Sequence, residues 1–194
     1  MRNDLNLIRQ CIKAHSHVLD LGCGDGELLE QLQHTAQVSG YGVEIEPKKV
    51  ITAIERGVNC IQKDLNQDLQ FIADNSFDYV IMAQSLQQLK HPHRMLTEML
   101  RVANEAIVTF PNFGYWPTRF YLTLKGKMPV SKTLPYQWFD TPNIHLCTFK
   151  DFERLCAQLN IKVKQRLVVD NKFEQHLLHS ILPNVFGEYA IYHL

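Results

Sequence analysis

The run Val18-Leu19-Asp20-Leu21-Gly22-Cys23-Gly24-Asp25-Gly26 places three glycines at alternate positions directly after an apolar stretch interrupted by one aspartate. The apolar residues read as a buried strand. The glycines read as a tight turn into a helix, where the backbone can approach a ligand with no Cβ in the way. A nucleotide-bearing cofactor suits such a turn, and the surrounding charges discriminate between two kinds. A dinucleotide fingerprint beginning at Gly22 and Gly24 needs a third glycine at position 27, which is Glu27. It also sets a pyrophosphate at the helix N-terminus, where Asp20, Asp25 and Glu27 add repulsive negative charge. S-adenosylmethionine (SAM) has no phosphate and carries an ammonium and a sulfonium. Carboxylates favour it, and a nicotinamide-dependent oxidoreductase is the disfavoured rival.

The remaining candidates stand where later strands end, which is where ligands of open α/β sheets bind. Glu44 ends a second strand, and a carboxylate there can accept from both ribose hydroxyls. Asp64 ends a third and can accept from the adenine amine, with Ile45 and Leu65 on either side of the purine. Gln84 and Ser85 follow a fourth strand, near the methionine part of the cofactor or a substrate. Asp20 can receive the methionine amino group. The candidate cofactor set is therefore Asp20, Gly22, Cys23, Gly24, Glu44, Ile45, Asp64, Leu65 and Gln84. Plainer roles stay open: Asp20 as a helix or loop cap, Glu44 as a surface carboxylate, and Asp64 as a strand-to-loop cap.

Elements that would position these residues follow from periodicity. Leu5, Ile8 and Ile12 predict an amphipathic helix over 4–14. Strands are expected at about 17–21, 40–45, 59–62, 77–82 and 106–110, with helices at about 25–35, 47–55 and 95–102 between them. Pro47 suits a first helical turn. Thr148-Phe149-Lys150-Asp151 resembles a capping box opening a helix to about Leu159. The apolar stretches 161–169 and 189–193 supply two last strands. Alternating strands and helices imply right-handed crossovers and a largely parallel sheet.

Composition excludes several classes. The chain of 194 residues suits one domain, 1–194, and has no repeat or linker. Twenty Lys and Arg balance twenty Asp and Glu, so no global field draws it to nucleic acid or membrane. No run has signal-peptide or membrane-spanning character. The five cysteines, Cys11, Cys23, Cys60, Cys147 and Cys156, form no CxxC pair, so no metal site or disulfide framework is indicated and a cytoplasmic location is expected. The pairs His15/His17, His91/His93 and His176/His179 lack recurring acidic or cysteine partners and read as surface or packing histidines.

The glycine run resembles the first motif of class I SAM-dependent methyltransferases. A more specific resemblance lies in Asp64-Leu65-Asn66, Ser76-Phe77-Asp78-Tyr79-Val80, Pro111-Asn112-Phe113-Gly114-Tyr115-Trp116 and the string from Leu134-Pro135-Tyr136-Gln137-Trp138-Phe139 to His145-Leu146-Cys147-Thr148. Across nearly the whole chain these are similar to the bacterial methionine biosynthesis family MetW. The resemblance implies a Rossmann-like α/β fold, its seven-stranded, mostly parallel sheet closed by an antiparallel C-terminal edge hairpin. It implies SAM or its demethylated product S-adenosylhomocysteine as ligand, and a role beside homoserine O-acyltransferase (MetX). Matching positions of the fold family serve the cofactor roles given above.

Independently of any family, residues 111–149 make a connection far longer than usual and rich in aromatics, so a lid or a partner-binding insertion is expected there. Tyr115, Trp116, Tyr136, Trp138 and Phe139 can line a pocket, dock a partner or simply cover the sheet's open end. Arg119, Lys125, Lys127 and Lys132 read as a solvated face. About seventeen residues precede the first strand, which leaves the site open or closed by another protein. No catalytic residue can be assigned. His145 and Tyr136 lie in the right region for a base, but methyl transfer needs mainly alignment. A GxSxG elbow is absent, so the chain is not expected to acylate homoserine itself. Two functions stay open: a SAM-binding partner of the acyltransferase, and a free-standing small-molecule methyltransferase.

Overall fold

Side chains of β1 (His17–Leu21) alternate between two hydrophobic layers, which is what a strand buried on both faces requires. Val18 belongs with Leu5 and Ile8 of α1 (Asn3–Gln10) and with Leu29 and Leu32 of α2 (Glu27–Ala36). Leu19 and Leu21 belong to the opposite layer, with Met95 and Met99 of α4 (Pro92–Val102) and Phe149 and Phe152 of α6 (Phe149–Gln158). This computed structural model describes residues 3–131, 133–170 and 177–194.

The other strands are β2 (Ser39–Glu44), β3 (Asn59–Gln62), β4 (Phe77–Ala83), β5 (Ala103–Pro111), β6 (Gln165–Val169) and β7 (Tyr189–His193). They form one sheet in the order β3-β2-β1-β4-β5-β7-β6. The first five are parallel. β7 runs antiparallel between β5 and β6, with Ala190 opposite both Phe110 and Val168. The sheet is the seven-stranded, mixed one expected, with its antiparallel pair at the C-terminal edge. From β1 the chain steps outward to β2 and β3 through α2 and α3 (Pro47–Glu55), then returns to β4. The crevice at that reversal, past the carboxyl ends of β1 and β4, is where such sheets take ligands.

Several boundaries differ from expectation, α4 and β5 each beginning about three residues early, at Pro92 and Ala103. α1 stops at Gln10, because the chain turns at Cys11 and Ile12 and reaches a left-handed residue at His15 (φ 61°), though Ile12 stays buried. β6 begins only at Gln165, opposite His193, where its pairing with β7 begins. The connection after β5 is not one loop: it holds α5 (Trp116–Lys125), with proline in the first turn and Gly126 as a left-handed cap. Two short helices, α7 (Leu177–Ile181) and α8 (Pro183–Phe186), lie between β6 and β7. The capping box of α6 is present in full, Thr148 and Asp151 each accepting the other's backbone N–H.

Candidate cofactor cleft

A cavity of about 670 Å³ opens at the reversal of strand order, a size typical of small-molecule sites. Of the candidates, Gly22, Gly24, Glu44, Ile45, Asp64, Leu65 and Gln84 line it. Asp20 and Cys23 do not. Asp20 is 2% exposed within β1, on the same face of the strand as Val18. Cys23 lies beneath the glycine turn, its Sγ 3.6 Å from that of Cys60. Burial, then the charge of Asp20, pushes the Cys23 thiol strongly up, so it stays protonated. The thiol pair fits because position 42 is glycine: a Cβ there would stand 2.4 Å from the Cys23 sulfur.

Glu44 is the most firmly held polar group of the cleft. Its Oε1 accepts the backbone N–H groups of Ile45 (2.7 Å) and Glu46 (3.0 Å), and its Oε2 accepts that of Gly24 (3.0 Å). A surface role is thereby excluded, since the residue is 7% exposed. The bonds fix the carboxylate, and each of its oxygens retains further acceptor capacity. Gly24 has φ +60°, with no atom within 4 Å of where a Cβ would stand. Its backbone therefore borders open space. Asp64 carries the plainer role foreseen for it: Oδ1 accepts from the backbone and the side-chain amide of Asn66, at 2.8 and 3.0 Å. It still lines the cavity, beside Leu65.

Gln84 holds a left-handed backbone (φ 59°) at the end of β4, its N–H given to Thr109 O at 2.9 Å. Such a conformation in a non-glycine residue is costly and clusters at ligand sites. The neighbouring Ser85 donates from Oγ to Leu21 O at 3.0 Å, tying the turn after β4 to β1. Sequence reasoning passed over Lys49, Gln88, Asn143 and Tyr189, which also line the cavity. Lys49 is engaged with Glu46 at 2.8 Å, which raises its pKa. Helical spacing from Pro47 would have signalled that pair.

The long connection supplies the roof. Thr133, Pro135, Tyr136, Pro142 and Asn143 line the cavity from above. The strap is pinned where Ile144 and His145 donate their N–H groups to Gln87 O at 3.0 and 3.1 Å. Of the two residues considered as bases, Tyr136 lines the cavity, whereas His145 is exposed outside it. Arg119, Lys125 and Lys127 are all exposed, as a solvated face requires; Arg119 also donates to Gly114 O and, at 3.2 Å, to Asn184 O. Lys132 and His176 lie outside the described residues. Among the described residues no three His, Cys, Asp or Glu side chains gather as a metal ion would need, and no helix is long and apolar enough to cross a membrane.

Charge selects the kind of ligand. The lining residues include three carboxylates (Glu44, Glu46, Asp64) and one ammonium, Lys49. That balance opposes a pyrophosphate and suits a ligand bearing cationic groups and ribose hydroxyls.

Solved structures share this architecture. The [4+2]-cyclase SpnF superposes with a TM-score of 0.70 at 19% identity, covering 99% of this chain and 80% of that one. A SAM-dependent methyltransferase from Archaeoglobus fulgidus gives 0.68 at 15% identity, covering 97% of this chain and 93% of that one. At such identities the likeness establishes the fold alone. A sequence relative is more specific: the bifunctional methionine biosynthesis protein MetXA/MetW of Rhodopirellula baltica is 33% identical over 97% of this chain. The chain spans about a third of that protein's length, 32%. The profile of the methionine biosynthesis protein MetW matches residues 2–194, and with it the chain belongs to the MetW family.

Proposed function

We propose that the cleft binds SAM or S-adenosylhomocysteine and that the protein works in methionine biosynthesis as a partner of homoserine O-acyltransferase (MetX). The observation that carries the ligand is the Glu44 carboxylate, fixed by three backbone N–H groups in a cleft of net negative charge. Glu44 would accept the ribose hydroxyls. Ile45, 57% exposed, and Leu65 would bracket the adenine, and Asp64 would take its amine. Gly22 and Gly24 would pass beside the methionine part, near Gln84. SAM, when bound, supplies an electrophilic methyl on a sulfonium. The partnership is supported by the Rhodopirellula relative, named as both MetXA and MetW.

Calorimetric titration with SAM and S-adenosylhomocysteine, with and without the acyltransferase, tests this reading. Coupling between two ligands is reciprocal, so the expected outcome is nucleoside binding whose affinity changes when the acyltransferase is present. Absence of binding in either case overturns the ligand assignment, and binding indifferent to the acyltransferase overturns the partnership. A second reading, a free-standing methyltransferase, is favoured by the room beside Tyr136, Asn143 and Tyr189, where an acceptor would sit. It predicts methyl turnover with small-molecule acceptors in the absence of any partner, abolished by Glu44→Ala.

A further inference from the structure

We propose that the outward face of α5, continued by the Trp138–Phe139 corner, is the surface on which the acyltransferase docks, and that the strap over the cleft couples docking to the ligand. This rests on the partnership proposed above.

α5 leaves its apolar residues in solvent on every side, Leu122 (45% exposed) included. An amphipathic surface helix normally buries its apolar stripe, yet none of the ten residues of α5 is buried. Trp116, Phe120 and Leu124 recur at every fourth position, 47%, 58% and 63% exposed, with Tyr121 beside them at 42%. Arg119 donates to Gly114 O just before the helix and to Asn184 O of α8. Beyond the Gly126 cap, Met128 shares a shallow crevice with Trp138, which carries the apolar surface onward. Trp138 and Phe139 are 74% and 70% exposed, their rings edge-on at 5.8 Å. A continuous exposed surface of this kind marks an interaction site, and Trp and Tyr dominate the energetics of such sites.

The occupant follows from the relative. In the Rhodopirellula protein a unit like this one makes up 32% of a chain that also carries the MetXA name. Units carried on one chain meet at a raised effective concentration, which favours the fused acyltransferase as the partner for such a face. The strap then lies between two binding events. Pro135 and Tyr136 face the cavity, and Trp138 and Phe139, two or three residues on, face outward. Leu134, 7% exposed, anchors one end in the protein interior, and Gln87 holds Ile144 and His145 at the other. With both ends pinned, a shift of Tyr136 toward a ligand moves the outer corner.

The test uses the full chain and the purified acyltransferase, with affinity read by calorimetry. Phe120→Ser/Leu124→Ser removes two apolar anchors. Trp138→Ala tests the same surface outside any regular element. Ile51→Ser/Ile54→Ser removes equally exposed apolar residues of α3 as a control (58% and 55%). The expected result is a loss of acyltransferase affinity of about tenfold or more in the first two, with circular dichroism and SAM affinity without partner unchanged, and wild-type affinity in the control. Failure of the wild type to bind would remove the partnership and this inference together. Wild-type affinity in the α5 and Trp138 variants overturns the docking surface alone. So does a self-association seen by sedimentation that those variants abolish while acyltransferase binding persists, because the face would then belong to a second copy.

Discussion

The Glu44 carboxylate accepts the backbone N–H of Gly24 at 3.0 Å and thereby ties the end of β2 to the glycine turn after β1. One charged group thus fixes the two backbones that border the cleft. Replacing it by its neutral isostere separates charge from shape. In Glu44→Gln the amide oxygen can still receive Ile45 and Glu46, but the NH2 group confronts the Gly24 N–H, donor against donor. Hydrogen bonds to charged groups are worth about 1.5–3 kcal/mol. SAM affinity measured by calorimetry is therefore expected to fall about 10- to 100-fold, with far-UV circular dichroism unchanged. Wild-type affinity would remove Glu44 from the ligand site.

Gly24→Ala separates backbone strain from occlusion. With φ at +60° and no atom within 4 Å of the new methyl, the folded state meets only the left-handed penalty, about 1–2 kcal/mol. In a chain of this size that is a fall of roughly 2–8 °C in thermal midpoint. The methyl enters the open border of the cleft, so ligand affinity is expected to fall much further than stability. Equal losses would mean that the turn matters only to folding.

Much of this site was legible in the sequence because its parts are local. The glycine turn, Glu44, and the pair Asp64 and Leu65 each sit at or just past the end of a short strand. Asp20 and Cys23 were harder to place. They belong to the same motif, yet neither lines the cavity, and Cys23 packs against the empty side of Gly42. α5 went unread for a different reason. Periodicity finds helices by the stripe they bury, and this helix buries none; only Pro117 and Gly126 announced its ends. The roof residues Thr133 and Asn143 come from long-range folding of the strap, for which no local pattern exists.

Burial of Cys156, reinforced by Glu153, pushes its thiol up to about 11 from an ordinary value near 9. The folded state therefore retains a proton that the unfolded state releases between these values. A raised pKa of this kind contributes stability that is intact below about pH 9 and lost as the pH climbs toward 11. The slope is up to about 1.4 kcal/mol per pH unit. Denaturation midpoints taken from pH 8 to 11 are expected to fall in the wild type and to fall less steeply in Cys156→Ala. The variant begins from lower stability, since the side chain is 1% exposed in the core. Parallel profiles would assign the alkaline loss to other groups.

Asn112, 3% exposed, joins the end of β5 to the α8 turn and to its own following turn through a single amide. Its Nδ2 donates to Asn184 O at 3.2 Å and Gly187 O at 2.8 Å, and its Oδ1 accepts the Gly114 N–H at 2.8 Å. Asn184 O and Gly114 O are also the acceptors of Arg119, so the anchorage of α5 shares this network. Asn112→Ala leaves buried backbone groups without their partner, at a cost of about 1–3 kcal/mol for each unsatisfied group. The thermal midpoint should drop by several degrees. Asn112→Asp is the sharper test. It preserves the acceptor for Gly114 but sets a carboxylate against two carbonyl oxygens, and only its protonated form can donate to one of them. The Asp variant is therefore expected to be at least as unstable as the Ala variant at pH 7. It should gain on the Ala variant as the pH falls toward 5, because burial against carbonyls raises a carboxyl's pKa. If the Asp variant matches the wild type at pH 7, the amide is not what holds these segments together.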